Sequence, residues 1–576
     1  MTIFDLDSTL PSLPLPELSE TCECLKEIIC PLASEADYKQ ACTAIDAFAV
    51  SGKPLQEKLS AFRNGLGSNL SWLRPFWDDS YLIWRGKLPM EMNYAFELCT
   101  EEWGDKPLAS LILAMCRFFR QASTENLSAE SARNAPLSMD SLRFMAYTRI
   151  PSPIRDTLSL LPLSAPARVA VVSEGHWFIL SLSDASGLLV SVAEADKAID
   201  AIRAASKYQP QIPPVGAMTA VKREDAAEVR SRLLTELGNR CALADIENCL
   251  FTVSLDADTD NFGHNLLAGN AANRWFDKSL QIISTPNGHL GLNLEHAGCD
   301  AGLWVYALNW IDHYIKSSEQ TAPENSPTAT FRPLVWKTDQ KTETMLSEMA
   351  VTHHNNATQM DCIFKRYDSI DREKIKALGC GPDVFIQLAF QATYYRLTQT
   401  YASVYEAVSV RNFYEGRTEC TRPATRFALT FARLLAEDVI DANALQETVK
   451  QADEAHRKRL TRCQQGLGAE RHLFGLKMMA RLQGDEETTP CPDLFTNPTL
   501  LAATKNTLST SSVIGSCIRF FGFGPVENDG LGLGYMMTSQ GLQLAVTSLP
   551  ASKISAKQFC CEMETVIHLM LKHLAS

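Results

Sequence analysis

Residues 289–302 read HLGLNLEHAGCDAG, and the spacing of the leucines gives the local element. Leu290, Leu292 and Leu294 alternate with Gly291, Asn293 and Glu295, the period of a strand, so the leucines share one face. His296 keeps their parity and stands at the strand end, pointing into apolar surroundings. Burial there would depress its pKa and keep the imidazole neutral, the form a general base needs. Asp300, four residues on, can supply an orienting carboxylate if the chain turns helically after the histidine. On spacing alone, a satisfied core histidine stays open beside the catalytic reading. A metal reading fares worse, because H-E-x-x-H is absent and no second histidine follows at ligand spacing. His353 and His354, in THHNNAT, read as part of a polar loop.

At 576 residues the chain exceeds one ordinary core, and two large domains are expected at about 150 residues or more each. Hydrophobic residues make up 45% and charged residues 21%, which excludes a largely disordered chain. The net charge of -13 argues against a general nucleic-acid or anionic-membrane binder, while leaving room for a local basic pocket. The 17 cysteines are too sparse for a disulfide scaffold and form no C-x-x-C array, so most read as reduced, buried thiols and structural zinc is not expected. The N-terminal residues lack a basic, Arg-rich or apolar leader pattern, and no apolar run is long enough to span a bilayer. A cytoplasmic protein is the expectation.

Residues 316–331, KSSEQTAPENSPTATF, read as a linker near the middle of the chain, and 484–493 and 123–134 as surface loops. ARVAVVSEGHWFILSLS gives two β-rich runs around a Ser-Glu-Gly turn, and CLFTVSLD a further strand. CIRFFGFGPVENDGLGLGYMM places Asn-Asp-Gly between two apolar runs, a hairpin signal. PDVFIQLAFQATYYRL, TRFALTFARLLAED and ERHLFGLKMMARLQG carry helical periodicity, with Gly484 as the stop of the last. Both halves therefore mix strands with helices. The alternation of Gly530, Gly532 and Gly534 does not fit a G-x-G-x-x-G phosphate loop and follows a turn.

With its flanks, the opening stretch becomes NRWFDKSLQIISTPNGHLGLNLEHAGCDAG, and here the chain resembles the choline/carnitine acyltransferase family. LPSLPLPELSET, WDDSYL, PLSMDSLRFMAYTRIP, GPDVFIQLAFQATYYR, YEAVSVRNFYEGRTECTR, ERHLFGLK, STSSV and FGFGPVENDGLGLGY follow in the same order. The resemblance implies an α/β fold of two similar mixed-sheet plus helix domains of the chloramphenicol-acetyltransferase-like type, with an active-site tunnel at their interface. It places residues 75–338 in a domain carrying the catalytic histidine, and residues 1–74 plus 339–576 in a second. It further implies a monomer with no permanently bound cofactor, using acyl-coenzyme A and carnitine as substrates.

Residue by residue, the resemblance makes His296 the base, Asp300 its orienting acid and Ser511 the oxyanion donor. Carnitine carries a carboxylate that choline lacks, so its recognition needs a cation and hydroxyls at one point. Arg471, Thr418 and Tyr405 match those residues, Ser509 a further donor to the carboxylate, and Phe523 the aromatic beside the trimethylammonium group. Choline-specific relatives have V-D-N where this chain has TEC and lack the arginine; Cys420 departs from the usual Thr-Glu-Thr. Arg372, Lys374 and Lys376 match the cationic region for the 3'-phosphate of coenzyme A, and Asp383 a position on its pantetheine and adenine side. Phe521 falls where short-chain members carry a bulky residue and longer-chain members a glycine, which implies acetyl or propionyl transfer. Read without the resemblance, Arg471 is a solvated helix charge, Cys299 a buried hydrophobe and the basic cluster a solvated face. The alternatives are a choline or other amino-alcohol acetyltransferase, and a catalytically silent acyl-CoA-binding relative, the latter suggested by REDAAEVR where a tryptophan is common.

Overall fold

The computed structural model describes residues 3–67, 70–132, 135–208, 212–317, 326–482 and 493–575. The alternating leucines form strand Leu290–Leu294 as expected, but both of its faces are buried. Antiparallel neighbours flank it, Leu280–Ser284 on one side and Tyr94–Leu98 on the other. The first sheet has eight strands, in the order Thr330–Pro333, His176–Ser181, Arg168–Ser173, Thr252–Leu255, Leu280–Ser284, Leu290–Leu294, Tyr94–Leu98 and Ile518–Phe523. The second has six: Asp361–Tyr367, Gly541–Ser548, Leu531–Thr538, Leu508–Ser512, Val404–Ser409 and Thr418–Thr421. Each sheet has three adjacent parallel strands at its centre, flanked by antiparallel ones. The chain is therefore α/β, with two similar mixed sheets clothed in helices.

Three expectations change. The Asn-Asp-Gly turn does not close a hairpin: Ile518–Phe523 pairs with Tyr94–Leu98 in the first sheet, whereas Leu531–Thr538 lies inside the second. Its glycines serve the crossing instead. A Cβ on Gly534 would stand 2.1 Å from the Phe521 carbonyl oxygen, and one on Gly532 2.8 Å from that of Phe523, so only glycine admits the crossing strand. THHNNAT lies in helix Gln340–Ala357, where His353 is buried with Nε2 2.7 Å from the Ala268 carbonyl oxygen. The expected linker begins as the last turn of Ala301–Lys316 and ends in strand Thr330–Pro333; its residues 318–325 lie outside the described residues. Gly484 and nearly all of the loop at 484–493 also lie outside them.

The Ser-Glu-Gly turn does form a tight hairpin, with Glu174 at φ 51° and Gly175 at φ 82°. The three periodic helices run Pro382–Thr398, Arg426–Leu434 and Ala469–Arg481; Thr425 caps the second by accepting from the Ala428 N–H. Each sheet buries its own apolar core. A third core joins the N-terminal helices to Ala469–Arg481, through Leu25, Ile45, Leu59, Trp72 and Leu476. No helix among the described residues is long and apolar enough to cross a membrane.

Candidate active site

Strand Leu290–Leu294 ends two residues before His296, and residues 296–298 form a bend rather than the helical turn expected. The bend still brings Asp300 Oδ1 to 3.6 Å from His296 Nδ1. Asp300 occupies the N-cap of Ala301–Lys316 but does not cap it with its side chain. Both carboxylate oxygens instead accept from Arg417, at 3.1 Å from Nε and 2.8 Å from Nη2. The imidazole lies among aromatic rings, 5.2 Å from Tyr81 and 4.9 Å from Tyr94 between centroids. Its Nδ1 is sealed, yet the side chain as a whole keeps 30% of its exposure.

Electrostatics agree with the geometry. Burial lowers the imidazole below its ordinary 6.5; Asp300 opposes this and Arg417 reinforces it. Burial alone would raise the Asp300 carboxyl, but the charge and hydrogen bonds of Arg417 overcome it and hold the group at about 2. The pair is thus a neutral ring beside a permanent carboxylate, able to accept a proton and to stabilise the cation that results.

Arg417 was not singled out in the sequence, although it sits inside GRTECTR. Beyond Asp300, its Nη1 donates to the Ala297 carbonyl at 2.6 Å and to Asp78 at 3.0 Å, and its Nη2 to the His296 carbonyl at 2.9 Å. The residue just before strand Thr418–Thr421 of the second sheet therefore holds the histidine loop of the first. Glu295, Tyr147 and Arg149, buried against the same loop, were missed as well.

The residues matched to carnitine recognition come together in the second sheet. Arg471, in the first turn of Ala469–Arg481, is only 7% exposed, which overturns the solvated reading. Its Nη2 donates to the Tyr405 hydroxyl at 3.1 Å and its Nε to the Thr418 carbonyl at 3.1 Å, while the guanidinium lies 4.0 Å over the Trp77 ring. Ser509 is the register partner of Tyr405 on the neighbouring parallel strand. Ser511 shares its face by the two-residue period and lies opposite Gly534. Thr510, on the other face, donates to the Tyr405 carbonyl at 2.8 Å and fixes that strand pair. Cys420 is buried within Thr418–Thr421, between Glu419 and Thr421, and its carbonyl accepts from the Cys463 thiol.

Phe521 and Phe523 arrive on the crossing strand. Phe523 is the register partner of Tyr94, and Phe521 that of Phe96. Centroids lie 6.1 Å apart for Tyr94 and Phe521 and 5.5 Å for Phe521 and Phe523, so an unbroken series of rings runs from His296 to Phe523.

The coenzyme-matched residues divide. Arg372, Lys374 and Lys376 stand exposed on the short helix Arg372–Ala377, where Lys376 pairs with Glu373 at 2.9 Å and Lys374 reaches the Ser369 carbonyl at 3.2 Å. Asp383, 38% exposed, turns inward: it accepts from the Tyr535 hydroxyl at 2.6 Å and meets His456 Nε2 at 3.0 Å. Burial, with Asp383 adding to it, lifts the Glu406 carboxyl well above the ordinary range, so Glu406 holds its proton beside a charged Asp383. Among the described residues, Asp383, Glu406 and His456 have ligand atoms within 4.8 Å of one another, a spacing that suits a metal ion, and the Asp383–His456 contact already joins two of the three.

A family model described as Choline/Carnitine o-acyltransferase matches residues 13–565. A choline O-acetyltransferase of Sus scrofa is 28% identical, over 94% of this chain and 89% of its own length. A carnitine O-acetyltransferase of Homo sapiens is 27% identical, over 91% and 87%. A peroxisomal carnitine O-octanoyltransferase of Bos taurus is 28% identical, over 86% and 84%. Relatives named for different alcohols and acyl chains thus match about equally well.

Proposed function

We propose, from the premise that this chain belongs to the choline/carnitine O-acyltransferase family and is an acyltransferase, that it moves a short acyl group reversibly between coenzyme A and the hydroxyl of L-carnitine. The observation that carries this choice of alcohol is Arg471, a buried cation joined to Tyr405 and Thr418. A carboxylate substrate would meet a guanidinium and hydroxyl donors there, whereas choline has no group that needs them.

In this reading His296 takes the hydroxyl proton as the alcohol oxygen attacks the thioester carbonyl. The tetrahedral intermediate places its oxyanion against the Ser511 hydroxyl. Collapse breaks the carbon–sulfur bond, and the imidazolium returns the proton to the departing thiolate. The reverse reaction retraces these steps with the same base. No acyl-enzyme is needed, and Cys299 is unsuited to form one, since burial pushes its thiol up to about 12. Coenzyme A enters as a substrate, its phosphates toward Arg372, Lys374 and Lys376, and no resident cofactor takes part. Phe521, buried among Tyr94, Phe96 and Phe523, fills the acyl side and limits chain length.

The second reading, acetyl transfer to choline or another amino alcohol, draws on the equally similar choline O-acetyltransferase of Sus scrofa. Thiol release from acetyl-CoA, measured with carnitine and choline in parallel, separates the two. Faster release with choline overturns the carnitine reading, and release with neither favours a silent acyl-CoA-binding relative.

A further inference from the structure

Besides Arg417, a second set of groups, all buried except Arg85 at its margin, grips the histidine loop, and its charges balance only as a unit. Glu295 Oε1 accepts from Arg149 Nη1 at 2.9 Å. Its Oε2 accepts from the Ala297 N–H at 3.0 Å and from the Tyr147 hydroxyl. The same hydroxyl oxygen accepts from the Gly298 N–H at 3.1 Å. The two peptide N–H groups that follow His296 are thus each held by one side chain, opposite carbonyls that Arg417 holds, and neither N–H is free to turn toward substrate. Arg149 continues the network: its Nε donates to Asp156 at 2.7 Å and its Nη2 to the Tyr81 carbonyl at 2.6 Å. Tyr81 is one of the two rings packed on His296. Asp156 also pairs with Arg85 and Arg223, and Arg223 with Asp277, so three arginines offset three carboxylates.

We propose that Glu295, acting through Tyr147 and Arg149, is a positioning residue for acyl transfer, fixing the peptides of residues 297 and 298 and the Tyr81 backbone so that the His296 ring keeps its working orientation. The inference rests on the proposed function, since it needs His296 to be the base. A carboxylate kept only to neutralise Arg149 would not need to turn its second oxygen to the Ala297 N–H. Near-attack geometry is sensitive at this level, because a displacement of about 1 Å can cost about a hundredfold in rate.

Two variants test it. Glu295→Gln keeps the shape but replaces one acceptor oxygen with an amide that cannot accept; Tyr147→Phe removes only the hydroxyl between Glu295 and Gly298 and leaves the Arg149 pair in place, so it guards against a misfolded first variant. Carnitine-dependent thiol release from acetyl-CoA is expected to lose about 10- to 100-fold in kcat in each, with both KM values and the calorimetric Kd for coenzyme A within about twofold of the parent. A folded Tyr147→Phe protein with parental kcat overturns the inference, as does a loss that appears in KM while kcat is kept. Parental protein that releases no thiol with carnitine or choline overturns the proposed function and this inference with it; active parent with unaffected variants overturns this inference alone.

Discussion

Asp300 faces His296 Nδ1 at 3.6 Å with an oxygen that also accepts from Arg417. The carboxylate is therefore fixed by an arginine of the other sheet and orients the ring without titrating alongside it.

This arrangement sets a pH profile. On the proposed mechanism the neutral imidazole is the active form, and burial lowers its pKa, so kcat/KM should rise along an acid limb centred below 6.5 and then level off, Asp300 remaining charged throughout. An acid limb centred above 6.5 would contradict the burial. His296→Ala should reduce thiol release by at least about 10²- to 10⁴-fold, the range for a lost general base, while calorimetry shows coenzyme A still bound.

Arg471→Gln removes the cation beneath Tyr405 and Thr418. A hydrogen bond to a charged group contributes about 1.5–3 kcal/mol, so KM for carnitine should rise about 10- to 100-fold, with KM for acetyl-CoA little changed. Equal rises in both would show that the variant has disturbed the sheet rather than the alcohol site.

Phe521→Gly opens space beside Tyr94 and Phe96. Assayed over acetyl-, butyryl-, hexanoyl- and octanoyl-CoA, the variant should gain at least about tenfold on the longer chains relative to acetyl, since each added methylene is worth about 1 kcal/mol or more once it fits. An unchanged preference would place the chain elsewhere.

Lys376→Ala removes an exposed cation whose partner, Glu373, is the more exposed of the two. Calorimetry with coenzyme A and with its 3'-dephospho form should show weaker binding of the former alone; equal loss for both would move the 3'-phosphate away from this helix.

His472 gives a stability prediction. Gln56 donates its amide to the Pro16 carbonyl, leaving its oxygen to accept from His472 Nε2 at 2.7 Å, while Nδ1 accepts from the Thr21 hydroxyl at 2.7 Å. Burial lowers this imidazole to about 4, below its ordinary 6.5. Its contribution is therefore complete above about pH 6.5 and is lost as pH falls through about 4, of the order of 3 kcal/mol in all. The difference in denaturant midpoint between the parent and His472→Gln should be constant from pH 8 to 7 and change steadily toward pH 4, the parent losing more. Equal slopes would assign the acid sensitivity to other groups.

Elements that depend on local spacing were legible in the sequence: the leucine alternation ending at His296, the helices over Pro382–Thr398 and Ala469–Arg481, the Ser-Glu-Gly turn. Elements that depend on a distant partner were not. The run around 518–523 carries a sound turn signal, yet its partner is Tyr94–Leu98, so neighbouring residues could not reveal the pairing. Arg471 reads as a surface charge until Thr418, Tyr405 and Trp77 surround it. Arg417 and Glu295 are ordinary charges in their own segments, and only burial against the histidine loop sets them apart. His353, in a polar run, is sealed by backbone carbonyls from another segment.

The borrowed strand also bears on how the polypeptide can be made. On the ribosome, Tyr94–Leu98 emerges long before Ile518–Phe523, and until that strand arrives it presents unpaired amides and carbonyls along one side, a template for aggregation. A truncation ahead of Ile518 would leave that border permanently bare, so the surroundings of His296 cannot be expected to survive in an isolated amino-terminal fragment.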